Sequence, residues 1–213
     1  VRSHKNVKPY YQDSAVTIYH GDCMEIAPQL GRFDLLLTDP PYGIGKILHG
    51  GWSQRTRDTM YWDLKPVDIY PLIKLAKNAI VWGANYYQFR PSRGWLVWVK
   101  RNALPSMANV ELAWTSFDKN SKYFDTTISS TNAERVQHPT QKPLALIKWC
   151  LLYAGDVHTI LDPFAGSGTT GRAAKDLNKT AVLIEKEERY CEIAALRMSQ
   201  EVLPLFRKKK TKK

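Results

Sequence analysis

Cysteine is scarce in this sequence, and the three residues present, Cys23, Cys150 and Cys191, are widely spaced, odd in number and form no Cys-x-x-Cys pair. A disulfide framework is thereby excluded, and no zinc pattern is present. The histidines are scattered too, so no metal is expected. No apolar run reaches the roughly 18 residues a membrane span needs, and the polar, basic start of the sequence lacks a signal-peptide pattern. No membrane partner and a cytoplasmic setting are expected. Acidic residues are few beside basic ones, 20 against 31, which leaves a formal net charge of +11 and points to a polyanionic partner. Six of those charges stand together at Arg207, Lys208, Lys209, Lys210, Lys212 and Lys213, so the remainder carries 11 − 6 = +5 and is only modestly basic. That basic run reads either as a solvated end or as a phosphate-contacting arm.

A chain of 213 residues suits one well-buried domain. The expected organisation is an irregular N-terminal segment over 1–14, one domain over 15–203 and a basic tail over 204–213. Apolar patterning predicts strands at Val16 to Ile18, Phe33 to Leu37, Ile80 to Trp82, Gly94 to Lys100, Glu111 to Phe117, Thr159 to Leu161 and Thr180 to Ile184. Helices are predicted over Cys23 to Leu30, Asp68 to Lys77, Pro143 to Tyr153, the stretch after Gly168 to Leu177, and Glu187 to Glu201. The alternation implies a doubly wound α/β fold with a mostly parallel sheet. The strands around Trp98 and Trp114 are linked too briefly for a helix, so they form an antiparallel pair at a sheet edge. Trp82, Trp95, Trp98 and Trp114 are expected in the core. Lys119 to Val136 is polar and reads as a loop.

The chemistry concentrates in Thr38-Asp39-Pro40-Pro41-Tyr42, which follows a buried strand and so stands at its carboxyl end, where open α/β sheets bind ligands. Pro40 and Pro41 remove two backbone donors and stiffen the chain, leaving the Pro40 carbonyl without a strand partner. With the Asp39 carboxylate it makes a rigid acceptor cluster beside the flat ring of Tyr42. Such acceptors suit an amino group conjugated to an aromatic ring. Accepting its two hydrogens pulls the nitrogen toward tetrahedral geometry and frees its lone pair for attack, while Tyr42 stacks on the ring.

A second unit is Asp162-Pro163-Phe164-Ala165-Gly166-Ser167-Gly168, set between a strand and a helix and followed by a strand ending in Glu185. Glycine lets the backbone approach a ligand closely, the helix directs its positive end there, and Glu185 is placed for ribose hydroxyls. Gly166, Gly168 and Gly171 also satisfy Gly-x-Gly-x-x-Gly, which makes a nicotinamide enzyme a rival. Against it, no second mononucleotide half follows, Pro163-Phe164 makes the turn bulky, and the Asp39 cluster would have no role. Asp22, after the first strand, either accepts from a nucleoside or caps the helix behind it. Between Gly43 and Met60, glycines are interleaved with Lys46, His49, Trp52, Arg55 and Arg57. That stretch reads as a nucleic-acid-gripping loop or a plain surface loop.

Asp39 to Tyr42, His138 to Pro143 and Asp162 to Gly168 together resemble the motifs of the amino-methyltransferases of nucleic acid, in the permuted group whose catalytic motif precedes its cofactor motif. The resemblance covers about Val16 to Leu196. It implies a Rossmann-like methyltransferase fold and S-adenosylmethionine as cofactor. By it, Asp39, Pro40, Pro41 and Tyr42 are catalytic; the composition of the Gly43 to Met60 loop, apart from the resemblance, assigns Lys46, Trp52, Arg55 and Arg57 to the nucleic acid. Phe164, Gly166 and Gly168, with Asp162, Ala165 and Ser167, enclose the cofactor's methionine part, Glu185 holds its ribose, and Asp22 and Cys23 meet its adenine. Thr140 to Lys142 lie near the methionine end, and Thr38 and Asp39 complete the set. The implied reaction is methylation of adenine N6 in DNA by a prokaryotic or phage protein. Cytosine N4, adenine in RNA and a noncatalytic nucleic-acid-binding subunit are the alternatives. Family members usually carry a sizeable recognition region ahead of the His138 segment, whereas only Lys119 to Gln137 is available here. Recognition then falls to loops, to another protein or to a homodimer.

Overall fold

The computed structural model describes residues 7–43, 65–103, 108–127 and 141–200. Nine strands form one sheet in the order β1-β2-β9-β8-β3-β4-β6-β5-β7. They are β1 Tyr11–Gln12, β2 Val16–His20, β3 Phe33–Thr38, β4 Ala76–Trp82, β5 Trp95–Arg101, β6 Val110–Thr115, β7 Lys122–Thr127, β8 Thr159–Asp162 and β9 Thr180–Glu185. Strands β2, β9, β8, β3 and β4 run parallel. β6 runs against β4 and β5, and β1 against β2.

β3 leads into β4 on one side, while β8, its neighbour on the other side, leads into β9 farther out. The strand order therefore reverses between β3 and β8, and their carboxyl ends open the crevice in which such sheets bind ligands. Side chains alternate across each strand. Leu35 and Leu37 of β3 enter one core with Ile80, Trp82, Leu146, Leu151 and Ala194, and Leu36 enters the other with Val81, Leu72 and Ile184. Both faces are covered, which is why the central strands read as unbroken apolar runs. The helices are α1 Cys23–Ile26, α2 Tyr70–Ile73, α3 Leu144–Ala154, α4 Thr169–Asp176 and α5 Glu188–Ser199.

Three expectations need correction. The helix over Asp68 to Lys77 is a single turn: Leu75 already accepts from Phe33 N at 2.9 Å, and pairing with β3 takes over at Ala76. The helix from Cys23 stops at Ile26 and tightens into a 3₁₀ turn over Ala27–Gln29, where Pro28 supplies no amide donor. The polar stretch after Lys119 is not wholly loop, since β7 adds to β5 in parallel register. Phe124 packs against the core and Trp98 donates through Nε1 to Thr126 Oγ1 at 2.8 Å. With only one inward aromatic, an edge strand of this kind carries almost no apolar signal. β7 also takes the edge, so the antiparallel strand β6 lies inside the sheet.

Trp82, Trp98 and Trp114 are buried as expected, and Trp95 is half-buried. Among the described residues no helix is long and apolar enough to cross a membrane, and no group of three or more His, Cys, Asp or Glu side chains could hold a metal ion.

Candidate active site

At the crevice, the buried Thr38 hydroxyl at the end of β3 donates to Asp162 Oδ1 at the end of β8, 2.8 Å away. Phe164 N donates to the same oxygen at 3.2 Å. Burial pushes the Asp162 carboxyl up to about 6, with the hydroxyls of Thr170 and Thr38 working against that rise and the charge of Asp39 adding to it. The Thr38 to Tyr42 stretch and the glycine turn are thus fastened together by one side-chain contact.

The glycine turn follows at once. Gly166 and Gly168 have φ of 51° and 77°, a left-handed conformation that other residues resist. Gly166 N donates to Glu185 Oε2 at 2.7 Å and Glu187 N to Oε1 at 2.8 Å, so the carboxylate ending β9 is held at the turn by backbone amides. Burial raises the Glu185 carboxyl, against those two amides. Ser167 is buried and donates to Gln141 Oε1 at 3.1 Å, which brings the segment before α3 onto the turn. Gly171 lies inside α4, where a Cβ would stand 2.7 Å from Leu183, so the third glycine of the pattern serves helix-to-strand packing.

β2 ends beside β9, and Gly21 N donates to the Glu185 carbonyl at 2.9 Å. Asp22 caps α1 by accepting from Met24 N at 2.9 Å, and its side chain is still 43% exposed. A cap leaves further lone pairs for a ligand, so the two readings of Asp22 are compatible. Cys23 is buried, and burial pushes its thiol up to about 12, with the charge of Asp22 acting in the same direction.

Asp39 and Tyr42 meet directly: the Tyr42 hydroxyl donates to Asp39 Oδ1. Burial, then the charges of Asp39 and Glu111, raise the Tyr42 phenol well above its ordinary range, so it stays a neutral donor. A second wall comes from the chain after β4, which sequence reasoning missed. Gly83 has φ of 67°, and a Cβ there would lie 1.9 Å from Tyr42 Cε1. Tyr86 stacks on Tyr42 with centroids 4.9 Å apart and planes 19° apart. Tyr87 donates its hydroxyl hydrogen to the Pro41 carbonyl at 2.6 Å. The available signal was a glycine right after a buried strand, followed by adjacent tyrosines.

Lys142 is buried and pairs with Asp39 Oδ2 and, at 3.0 Å, with Glu111 Oε2. Lys100 pairs with Glu111 Oε1. Charges alternate along Asp39, Lys142, Glu111 and Lys100. Burial alone would lower the Lys142 ammonium, but Asp39 and Glu111 outweigh it and raise it. For Glu111, burial works upward and the two lysines bring the carboxyl below its ordinary range. Neither Glu111 nor Lys100 stands out in the sequence, because each lies within an apolar strand pattern.

Residues 97–196 match a family model described as DNA methylase, of the N6/N4 type. Type II methyltransferase M.ScaI of Streptomyces caespitosus is 28% identical over 267 residues, covering 93% of this chain and 86% of its own length. Over these spans the chain is similar to the N6/N4 DNA methylases. Among solved structures, the M1.HpyAVI–SAM complex is similar at 25% identity with a TM-score of 0.54, covering 86% of this chain and 100% of that one. PvuII DNA methyltransferase, cytosine-N4-specific, shares the fold at 15% identity and a TM-score of 0.62, over 93% of this chain and 91% of that one. The M.ScaI alignment runs over more residues than the 213 of this chain, so M.ScaI carries stretches without a counterpart here.

Of the residues singled out, Thr38 bonds to Asp162, Asp39 to Tyr42 and Lys142, and Ser167 to Gln141 through their side chains. Lys142, expected at a methionine end, reaches Asp39 itself. Lys46, Trp52, Arg55, Arg57, Thr140 and the basic tail lie outside the described residues.

Proposed function

We propose that this protein transfers a methyl group from S-adenosylmethionine to N6 of adenine in DNA. The observation that carries the reading is the bond from Thr38 to Asp162, which puts an amine-accepting cluster and a nucleoside cradle side by side at the sheet's switch point. The residues fit the cofactor. Two left-handed glycines leave the turn open for close approach, and Glu185 sits across it with lone pairs left for a ribose. In this reading Asp22 and Cys23 take the adenine, Glu185 the ribose, and Phe164 to Gly168 the methionine part. When bound, S-adenosylmethionine supplies an electrophilic methyl group.

The chain's own residues do the rest. The target base leaves the duplex at a cost of a few kcal/mol and stacks on Tyr42 in place of Tyr86. That exchange is favourable, since a base on an aromatic ring is worth about 1–3 kcal/mol and an aromatic pair about 0.5–1.5 kcal/mol. The amine hydrogens go to Asp39 Oδ1, from which the Tyr42 hydroxyl withdraws, and to the Pro40 carbonyl. Attack is direct and needs no cysteine nucleophile, in keeping with three buried thiols. The proton leaves after attack, so no strong base is required.

Asp at the first motif position supports adenine over cytosine N4, although the acceptors serve either amine. The catalytic motif precedes the glycine turn, as in the permuted group. β7 takes up part of the interval before Gln141, which leaves little chain for target recognition and supports a short target, with a homodimer as one way to extend contact. The test is incubation with methyl-labelled S-adenosylmethionine and duplex DNA, followed by nucleoside identification. N6-methyladenine is expected. N4-methylcytosine would reassign the base, and label confined to RNA would reassign the substrate.

A further inference from the structure

β6 is the one described strand between two others that runs against both. Its first residues therefore lie at the same edge as the last residues of β4, the ligand edge of the sheet. Trp82, which ends β4, pairs with Ala113, and Glu111 lies two residues before Ala113 on the same face. A carboxylate is thus delivered beneath the active site by a strand whose neighbouring positions are apolar.

Stability gives no reason for it. A buried ion pair is roughly matched by well-packed apolar side chains of similar volume. Glu111 and Lys142 nevertheless form such a pair, with Lys142 over the Trp82 ring at 5.7 Å and Lys100 over the Trp98 ring at 4.6 Å. The groups facing Lys142 are Asp39, Glu111, that indole and the Cys150 thiol, which burial keeps neutral. Behind them stand the Tyr42 hydroxyl on Asp39 and the Lys100 ammonium on Glu111.

We propose that Glu111 is a positioning residue for amine methylation, setting the place and the charge balance of Lys142 so that Asp39 is pinned through Oδ2 and keeps Oδ1 for the incoming amine. This rests on the methyltransfer reading above. With Glu111 present, the Lys142 charge is shared between two carboxylates and Asp39 remains a strong acceptor. Without it, Lys142 closes on Asp39 alone, weakens it as an acceptor and is free to cover both its oxygens.

Glu111→Gln keeps the shape and removes the charge. The expected result is a fall in kcat of about ten- to a hundredfold, the size of one charge-assisted hydrogen bond, with cofactor affinity by calorimetry unchanged. Because Glu111 acts through Lys142, the same substitution in a Lys142→Met background is expected to add no further loss. Equal losses in the two backgrounds, or an unchanged kcat, overturn the proposal. Glu111→Asp, which restores the charge, is expected to recover part of the rate and guards against a simple folding defect. A separate readout is side-chain NMR of labelled lysine: the Lys142 signal is expected to titrate at lower pH in Glu111→Gln than in the parent, and an unmoved titration overturns the proposal whether or not DNA is methylated. Parent protein that labels no nucleic acid strikes the functional reading instead.

Discussion

Thr38 and Asp162 are 124 residues apart in sequence and 2.8 Å apart in space, and their hydrogen bond joins the ends of the two strands between which the sheet order reverses. Each half of the site has its own sequence motif, and this contact fixes how the halves face one another. The bond is satisfied by either protonation state of Asp162, because the hydroxyl donates and the carboxyl accepts.

The raised Asp162 carboxyl has a consequence for stability against pH. Its folded-state value of about 6 lies above the ordinary 3.8, so the native state binds the proton more tightly than the unfolded chain. The stabilisation this gives is complete below about pH 4 and is lost as pH rises through about 6. Asp162→Asn keeps an acceptor for Thr38 and cannot ionise. Its stability relative to the parent is expected to rise across that window, by on the order of 2–3 kcal/mol. Denaturant titrations at several pH values check this, and a difference independent of pH would count against it.

Asp39→Ala is expected to lower kcat by about a hundredfold or more, since it removes a preorganised partner of the reacting group. Cofactor affinity should be spared, because Glu185 is held by the backbone amides of Gly166 and Glu187 and not by Asp39. Single-turnover methyl transfer together with calorimetry separates the two effects; appreciable turnover in this variant would end the assignment.

Gly83→Ala tests the wall behind Tyr42. The added methyl would overlap the ring at 1.9 Å and adopt a φ of 67°. Tyr42 must then leave its place, at a stability cost of about 1–3 kcal/mol. Thermal melts should show that cost, and methyl transfer should fall more than a comparable substitution at Gly31, where an added Cβ meets no atom within 4 Å.

Tyr87→Phe removes only the hydroxyl that holds the Pro41 carbonyl at 2.6 Å. One neutral hydrogen bond is worth about 1 kcal/mol net, so kcat should drop about fivefold with the fold intact by circular dichroism. A rate equal to that of the parent would show that the two prolines hold the motif without help.

The sequence carried the parallel core well, because strands buried on both faces are long apolar runs and glycine turns are conspicuous. The Asp39 cluster and the Gly166 turn were legible for the same reason: unusual residue types stand next to each other. β7 was not, since an edge strand with polar outward residues has almost no period. Glu111 and Tyr86 were missed on different grounds. Their roles come from register and from contact across the sheet edge, and neither leaves a local mark. Lys142 was singled out, but its partner Asp39 lies 103 residues away, and only the fold joins them.

The four-member chain of Asp39, Lys142, Glu111 and Lys100 sums to zero charge. These four side chains therefore project little field of their own into solvent. Affinity for phosphates then falls to the other lysines and arginines of the chain, whose excess gives the net charge of +11. Ionic strength would then govern how often DNA arrives, while the chemistry beneath it stays insulated from salt.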